Sequence, residues 1–282
     1  MPEVRSPTVR RRELGAILRR LRTEKNFTAE QAAAHLMISP SKLSRMETGQ
    51  GIAKARDIRD LCELYGVTAE TERERLMDLA AEGKEQGWWE EYDLPYKKYI
   101  GFEAAATSIR VYDSAVVPGL LQTADYARYL LKAAVQRLDE AAIDQSVKAR
   151  QTRQNILRRP EPPEFHAILD EAVLRRPVGG WEVMRDQLAS VAEAAKLPNV
   201  TVQVIPYKLG AHPGLDSVFT LLEFSGEAPD VVYVEGLIGP TYVDKSDDIE
   251  RYIEAFDQLS DLALNPLRSV EFINAAAQAL QG

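Results

Sequence analysis

The apolar positions change period along the chain. Leu14, Ile17, Leu18 and Leu21 recur three and four residues apart, which predicts an amphipathic helix between Arg10–Arg12 and Lys25. After a polar break at Asn26, Thr28 precedes Ala29-Glu30-Gln31 in a capping-box pattern, so a second helix starts there and runs to about His35-Leu36. Ser39-Pro40 is a second start signal, with serine as the cap and proline at the first helical position. The third helix then spans Pro40 to Thr48 and ends at Gly49-Gln50-Gly51. Ile58, Leu61, Cys62 and Leu64 mark a fourth helix stopping at Gly66, and Leu76 and Leu79 a fifth from about Thr71 to Glu82. The first 82 residues read as an all-α, five-helix head.

The pattern then shifts. Gly83-Lys84-Glu85-Gln86-Gly87 reads as a joint and is followed by Trp88, Trp89, Tyr92, Tyr96 and Tyr99, so 83–100 is an aromatic-rich connection. Within 101–282, helical stretches at Phe102–Arg110, Thr123–Ala134, Asp139–Leu157, Trp181–Lys196, Ser246–Leu264 and Pro266–Leu280 mix with β-branched runs. The runs at Val111–Val117, Glu164–Leu169, Val200–Ile205, Val218–Phe224 and Val231–Val234 predict strands, giving an α+β domain around a small mixed sheet.

Charge sharpens this division. The net charge is −8, yet residues 1–59 hold 13 Lys and Arg against 6 Asp and Glu, and the remaining 223 hold 22 against 37. A basic head on an acidic body is the footprint expected where one end meets phosphates. The single cysteine, Cys62, excludes an internal disulfide and a cysteine metal site, and its place in the Ile58, Leu61, Tyr65 stripe reads as packing. No apolar run approaches a membrane span and the N-terminal residues lack the apolar core of a signal peptide, so no membrane partner and a cytoplasmic location are expected.

The short second helix, the tight turn at Met37-Ile38 and the capped third helix resemble the lambda-repressor-like, or Xre-type, helix-turn-helix. The likeness rests on TAEQAAAHLMISPSKLSRMETGQ, Thr28 to Gln50, and on LRRLR, Leu18 to Arg22. It implies an ion pair between Arg22 and Glu47 with a structural role. The glutamine that such proteins often place at the start of helix two is Ala29 here. The second part resembles the C-terminal domain of actinobacterial WhiJ-like, or antitoxin-like, regulators. There the likeness is carried by Trp88-Trp89, VPGLLQTADYAR from Val117, LDEAVLRRPVG from Leu169 and VTVQVIPYKLGAHPGLDSVFTLLEF from Val200. That resemblance implies a regulator of development or secondary metabolism, often encoded beside a small acidic partner protein.

If the third helix enters the major groove, Ser41, Lys42, Ser44 and Arg45 are the base-contact candidates, Arg45 through a bidentate contact to guanine. Arg10, Arg11, Arg12 and Lys54 are phosphate-contact candidates. Trp88 and Trp89 in the connection, which could instead anchor one domain on another, and His212 in the second domain, which could instead cap its own loop, are candidates for a ligand or partner protein. No Gly-rich phosphate loop, paired-histidine metal motif or nucleophile elbow occurs, so neither catalysis, nor a metal, nor a cofactor is expected. The expected function is a regulator that binds double-stranded operator DNA as a homodimer on a pseudo-palindrome, its second domain dimerising or sensing a small-molecule effector. The alternative is an antitoxin-like chain that binds a small partner protein and autoregulates its operon.

Overall fold

In the computed structural model, which describes residues 6–134 and 138–280, the chain forms two units. The outer ends of the 1–82 and 101–282 segments, residues 1–5 and 281–282, thus lie outside the described residues. The first unit takes the chain up to Ala106 together with Phe224–Pro229, and the second takes Thr107–Glu223 and the chain from Asp230.

The first unit contains α1 (Pro7–Glu24), α2 (Ala29–His35), α3 (Pro40–Glu47), α4 (Ala55–Leu64), α5 (Glu70–Glu82), a 3-10 turn at Trp88–Glu91 and α6 (Lys97–Ala105). Helix α1 starts earlier than its apolar repeat predicts, because Pro7 supplies a helical φ at the first position and loses no needed N–H there. The predicted caps are formed. Thr28 Oγ1 accepts from the Gln31 N–H at 3.2 Å while Gln31 Oε1 accepts from the Thr28 N–H at 2.8 Å, and Ser39 Oγ accepts from the Lys42 N–H at 3.1 Å. The chain leaves α1 to α4 through left-handed residues in turn: Asn26, Met37, Gly49 and Gly66.

Leu14, Ile17, Leu18, Leu43, Met46, Ile58, Leu61 and Leu76 close one core within this unit. Cys62 is buried in it, and burial pushes its thiol above the ordinary value, which suits packing rather than chemistry. Helix α1 crosses the end of α3 at Gly15, where a Cβ would lie 2.6 Å from the carbonyl oxygens of Met46 and Glu47, so no larger residue permits that approach.

The second unit is built from β1 (Ser108–Asp113), α7 (Ala124–Ala133), α8 (Glu140–Gln154), β2 (Glu164–Asp170), α9 (Glu171–Arg175), α10 (Trp181–Ala194), β3 (Val200–Ile205), β4 (Phe219–Glu223), β5 (Val231–Val234), β6 (Thr241–Val243), α11 (Ser246–Leu262) and α12 (Pro266–Ala279). The strands form one mixed sheet in the order β3-β2-β1-β4-β5-β6. The β1–β2 and β2–β3 pairs are parallel and the remaining pairs antiparallel. Tyr112, Ile168, Ile205, Phe219 and Val232 pack with Ile249, Phe256 and Leu259 of α11. Their neighbours Val111, Ala167, Leu169, Val202 and Val204 are buried as well, so both faces of the central strands are covered.

Two expectations change here. The helix expected over Phe102–Arg110 ends at Ala105, and the strand expected over Val111–Val117 runs from Ser108 to Asp113. The physical reason is tertiary: Ile109 lies in register between Phe165 and Leu222, which fixes the strand over 108–113. Asp113 Oδ1 then accepts the N–H groups of Ala115 and Val116, turning the chain out of the sheet before Val117. Strand β6 was not expected. With only three residues at the sheet's edge it carries no readable alternation.

Candidate nucleic-acid interface

Helix α3 buries Leu43 and Met46 and exposes Ser41, Ser44 and Arg45. At 3.6 residues per turn, Ser41 and Arg45 lie within about 40° of each other, with Ser44 about 60° from Ser41. One face of a capped helix therefore carries two hydroxyls and a guanidinium, groups that hydrogen-bond base edges or phosphates. The Thr48 hydroxyl donates to the Ser44 carbonyl at 2.9 Å, and the Gly51 N–H to the Arg45 carbonyl at 2.8 Å. These close the end of the helix.

The rear of α3 is anchored to α1. Arg22 Nε donates to Glu47 Oε1 at 2.6 Å and Nη2 to Oε2 at 3.0 Å, a two-point grip, while Nη1 donates to the Phe27 carbonyl at 2.8 Å. The two side chains are 12% and 6% exposed, so the pair is largely withdrawn from water. The Glu47 hydrogen bond holds the Arg22 guanidinium above its ordinary pKa. Nearby, burial, reinforced by the Glu47 carboxylate, pushes the Tyr65 hydroxyl well above the ordinary phenol value and keeps it neutral.

Lys42 is placed differently from the other three. It sits about 40° around the helix from buried Met46, and its Nζ lies 2.8 Å from Asp57 Oδ2. The same Asp57 oxygen accepts from the Lys54 N–H at 3.4 Å at the start of α4. Lys54 itself is exposed there.

The arginines expected to reach phosphates from the chain's beginning are instead part of α1 and of the first unit's packing. Arg12 is buried, its guanidinium 5.4 Å above the Phe102 ring and its Nη2 3.4 Å from the Pro229 carbonyl. Arg11 Nη1 donates to the Gly83 carbonyl at 3.1 Å, and burial lowers its pKa. Arg10 bridges Glu13 at 2.8 Å and Glu82 at 2.9 Å. Of these three, none presents an open guanidinium.

Of the ligand or partner candidates, Trp89 and the His212 side chain are buried, while Trp88 is half-buried. Trp89 is buried against Gly87 and Gly101, with Trp88 edge-on to it at 6.0 Å and to Tyr92 at 5.8 Å. The His212 side chain is 2% exposed: Nδ1 accepts from the Gly214 N–H at 3.2 Å, and Nε2 lies 3.6 Å from Asp170 Oδ2. Trp89 and His212 thus pack and cap their own loops. Among the described residues, no His, Cys, Asp and Glu side chains are grouped to hold a metal ion, and no helix is long and apolar enough to cross a membrane.

Sequence reasoning did not single out Asp57 or the segment Phe224–Pro229. Glu227 in that segment bridges Arg20 at 2.9 Å and Arg75 at 3.0 Å, and Arg75 also reaches Glu13 at 3.2 Å. The Phe224 ring lies 6.0 Å from that of Phe102. The helical phase of Lys42 is a readable signal for Asp57. Nothing local signals a contact more than 150 residues away, as between Glu227 and Arg75.

Two family models match the chain. One described as a helix-turn-helix domain covers residues 13–76, and one described as a domain of unknown function, DUF5753, covers residues 96–275. No curated protein and no solved structure matches it.

Proposed function

From a chain that belongs to the DUF5753 family and carries a helix-turn-helix domain ahead of that region, we propose a sequence-specific transcriptional regulator of the Xre type. The observation that carries the reading is the outward face of α3, where Ser41, Ser44 and Arg45 stand exposed on a helix locked from behind by Arg22 and Glu47. A helix of eight residues reads only a few base pairs, so the protein binds a pseudo-palindrome as a homodimer, with half-sites about 10 bp apart or a multiple of that. Its targets belong to development or secondary metabolism, in keeping with the WhiJ-like resemblance of residues 88–224, and the reading gives the chain no catalytic step.

The test is selection of genomic duplexes by the full-length protein, followed by measurement on the selected operator and on random DNA. Arg45→Ala is expected to cost about 1–3 kcal/mol on the operator and little on random duplex, relaxing preference at one position. Equal losses on both DNAs would reduce Arg45 to a phosphate contact. A complex that sediments with a single protomer on its operator would overturn the dimer.

One observation favours the second reading, an antitoxin-like chain that binds a small partner protein. Leu237 and Ile238, between β5 and β6, are 90% and 103% exposed. Large apolar side chains held wholly in water are the kind that partner surfaces use. Under this reading a small protein co-purifies with the wild type in near-stoichiometric amount and is lost from a Leu237→Ser/Ile238→Ser variant.

A further inference from the structure

The ion pair between α3 and α4 assigns Lys42 a role other than reading DNA. We propose that Asp57 is a positioning residue: it draws Lys42 off the DNA-facing side of α3 and fixes the rotation of that helix, leaving Ser41, Ser44 and Arg45 as the presented set. This inference rests on the DNA-binding reading above.

Three observations converge on it. Lys42 is anchored at the flank of α3, about 40° from Met46 and about 100° from Ser41, so its stem starts beside the buried face. Asp57 is 8% exposed, a carboxylate that needs partners to remain in such a place. It has two on one oxygen, the Lys42 ammonium at 2.8 Å and the Lys54 N–H at 3.4 Å. Asp57 lies in the first turn of α4, and the second contact closes its side chain back onto that helix's N-cap, so the carboxylate is a fixed post rather than a swinging arm. Withdrawing Lys42 to a phosphate would leave Asp57 buried without its counter-charge, an arrangement that strongly disfavours the move.

The pair also trims binding that carries no sequence information. A lysine ammonium near the duplex adds a counterion-releasing phosphate contact on every sequence alike. Held by Asp57, Lys42 contributes neither that contact nor its salt dependence. Operator and random affinity fall by the same factor, so their ratio is unchanged while retention on bulk DNA is reduced.

The experiment uses the full chain and three variants, Lys42→Gln, Asp57→Asn and the double, all close in shape to the residues they replace. Thermal melting of each, without DNA, reports whether residues 42 and 57 are coupled. Binding to operator and to random duplex across a salt series reports where the ammonium goes. Lys42→Gln is expected to leave the salt slope of the wild type unchanged on both DNAs. Asp57→Asn frees the ammonium, so random-duplex binding should tighten about 5–10-fold at 0.1 M salt and the slope steepen by about 0.9. The double variant should return to the wild-type slope, a reversal that a merely structural contact would not produce.

If the wild type binds and Lys42→Gln flattens its slope by about one, Lys42 is a DNA contact and the inference falls while the DNA reading stands. Additive melting shifts, showing no coupling, overturn it as well. A folded wild type that retains no duplex in the selection overturns the DNA reading itself, and with it this inference.

Discussion

Met37 holds a left-handed backbone, φ +53°, at the turn between α2 and α3, with its side chain 84% exposed. An L-residue with a Cβ pays about 1–2 kcal/mol for that conformation, while glycine adopts it freely at an entropic cost of about 0.5–1 kcal/mol. No packing is lost with so exposed a side chain. Met37→Gly should therefore raise stability by about 0.5–1 kcal/mol, read as a higher urea midpoint at unchanged slope. A second residue links stability to pH. Burial drives the Asp113 carboxyl from 3.8 up to about 6, against the lowering effect of the Val116 and Ala115 N–H groups. A raised folded pKa gives stability that is complete below about 4 and is lost as pH rises through about 6. Asp113→Asn keeps the oxygen that accepts those N–H groups and removes the charge, so it should stabilise the protein at pH 7 by about 2–3 kcal/mol and little at pH 4. His166 works in the opposite sense. Burial lowers its pKa, so its contribution is complete above pH 6.5 and fades on acidification; the comparison of Asp113→Asn with wild type at each pH cancels it. The caps at Thr28 and Ser39 were legible in the sequence because they bond within three residues. The fate of Lys42 was not, because its partner stands fifteen residues on in another helix.

The helix-turn-helix is an arrangement of elements before it is a set of contacts, and the Arg22–Glu47 grip sets how α1 meets α3. Removing one partner of a largely buried pair leaves the other charge stranded, at a cost of about 3–5 kcal/mol, against about 0–1 for a surface bridge. Glu47→Ala in the full chain should lower the melting temperature of the first unit, while Arg20→Ala, whose side chain is 47% exposed, should scarcely move it. Equal shifts would show the grip to be no stronger than a surface bridge. All five helices of the head were readable from local signals: α2 and α3 from their caps, and α1, α4 and α5 from their apolar period, with the start of α1 placed too late. The strands were readable where β-branched runs are long, as in Val200–Ile205, and misplaced at β1, where both neighbouring strands decide the register. The edge strand β6 has one neighbour and three residues, too little for any pattern to show.

At the scale of the molecule, the first unit is not the first 82 residues. Besides α1 to α5 it takes the 3-10 turn, α6 and Phe224–Pro229, so the backbone passes between units at 106–107, 223–224 and 229–230. The far side of α1 depends on these additions: Ser6 donates to the Gly101 carbonyl, Arg11 to that of Gly83, Arg12 lies over Phe102, and Arg20 pairs with Glu227. A chain ending at Glu82 loses all of them. It should melt earlier and less cooperatively than the intact protein, as followed by helical circular dichroism and amide exchange in α1; a fragment as stable as the whole would show these contacts to be ornamental.

That borrowed segment also bears on when the head can be finished. Protein synthesis runs from the N-terminus at about 5–20 residues per second, and domains fold as they emerge. Here α3 is made early, yet Glu227, which pairs with Arg20 of α1, and Phe224, whose ring lies against Phe102 of α6, arrive only after most of the chain. A polypeptide that stalls or is cut before residue 224 leaves its basic helices without their last partners. Completion of the head thereby waits for the chain through β4 and the segment after it, and products that end earlier are expected to melt below the intact protein.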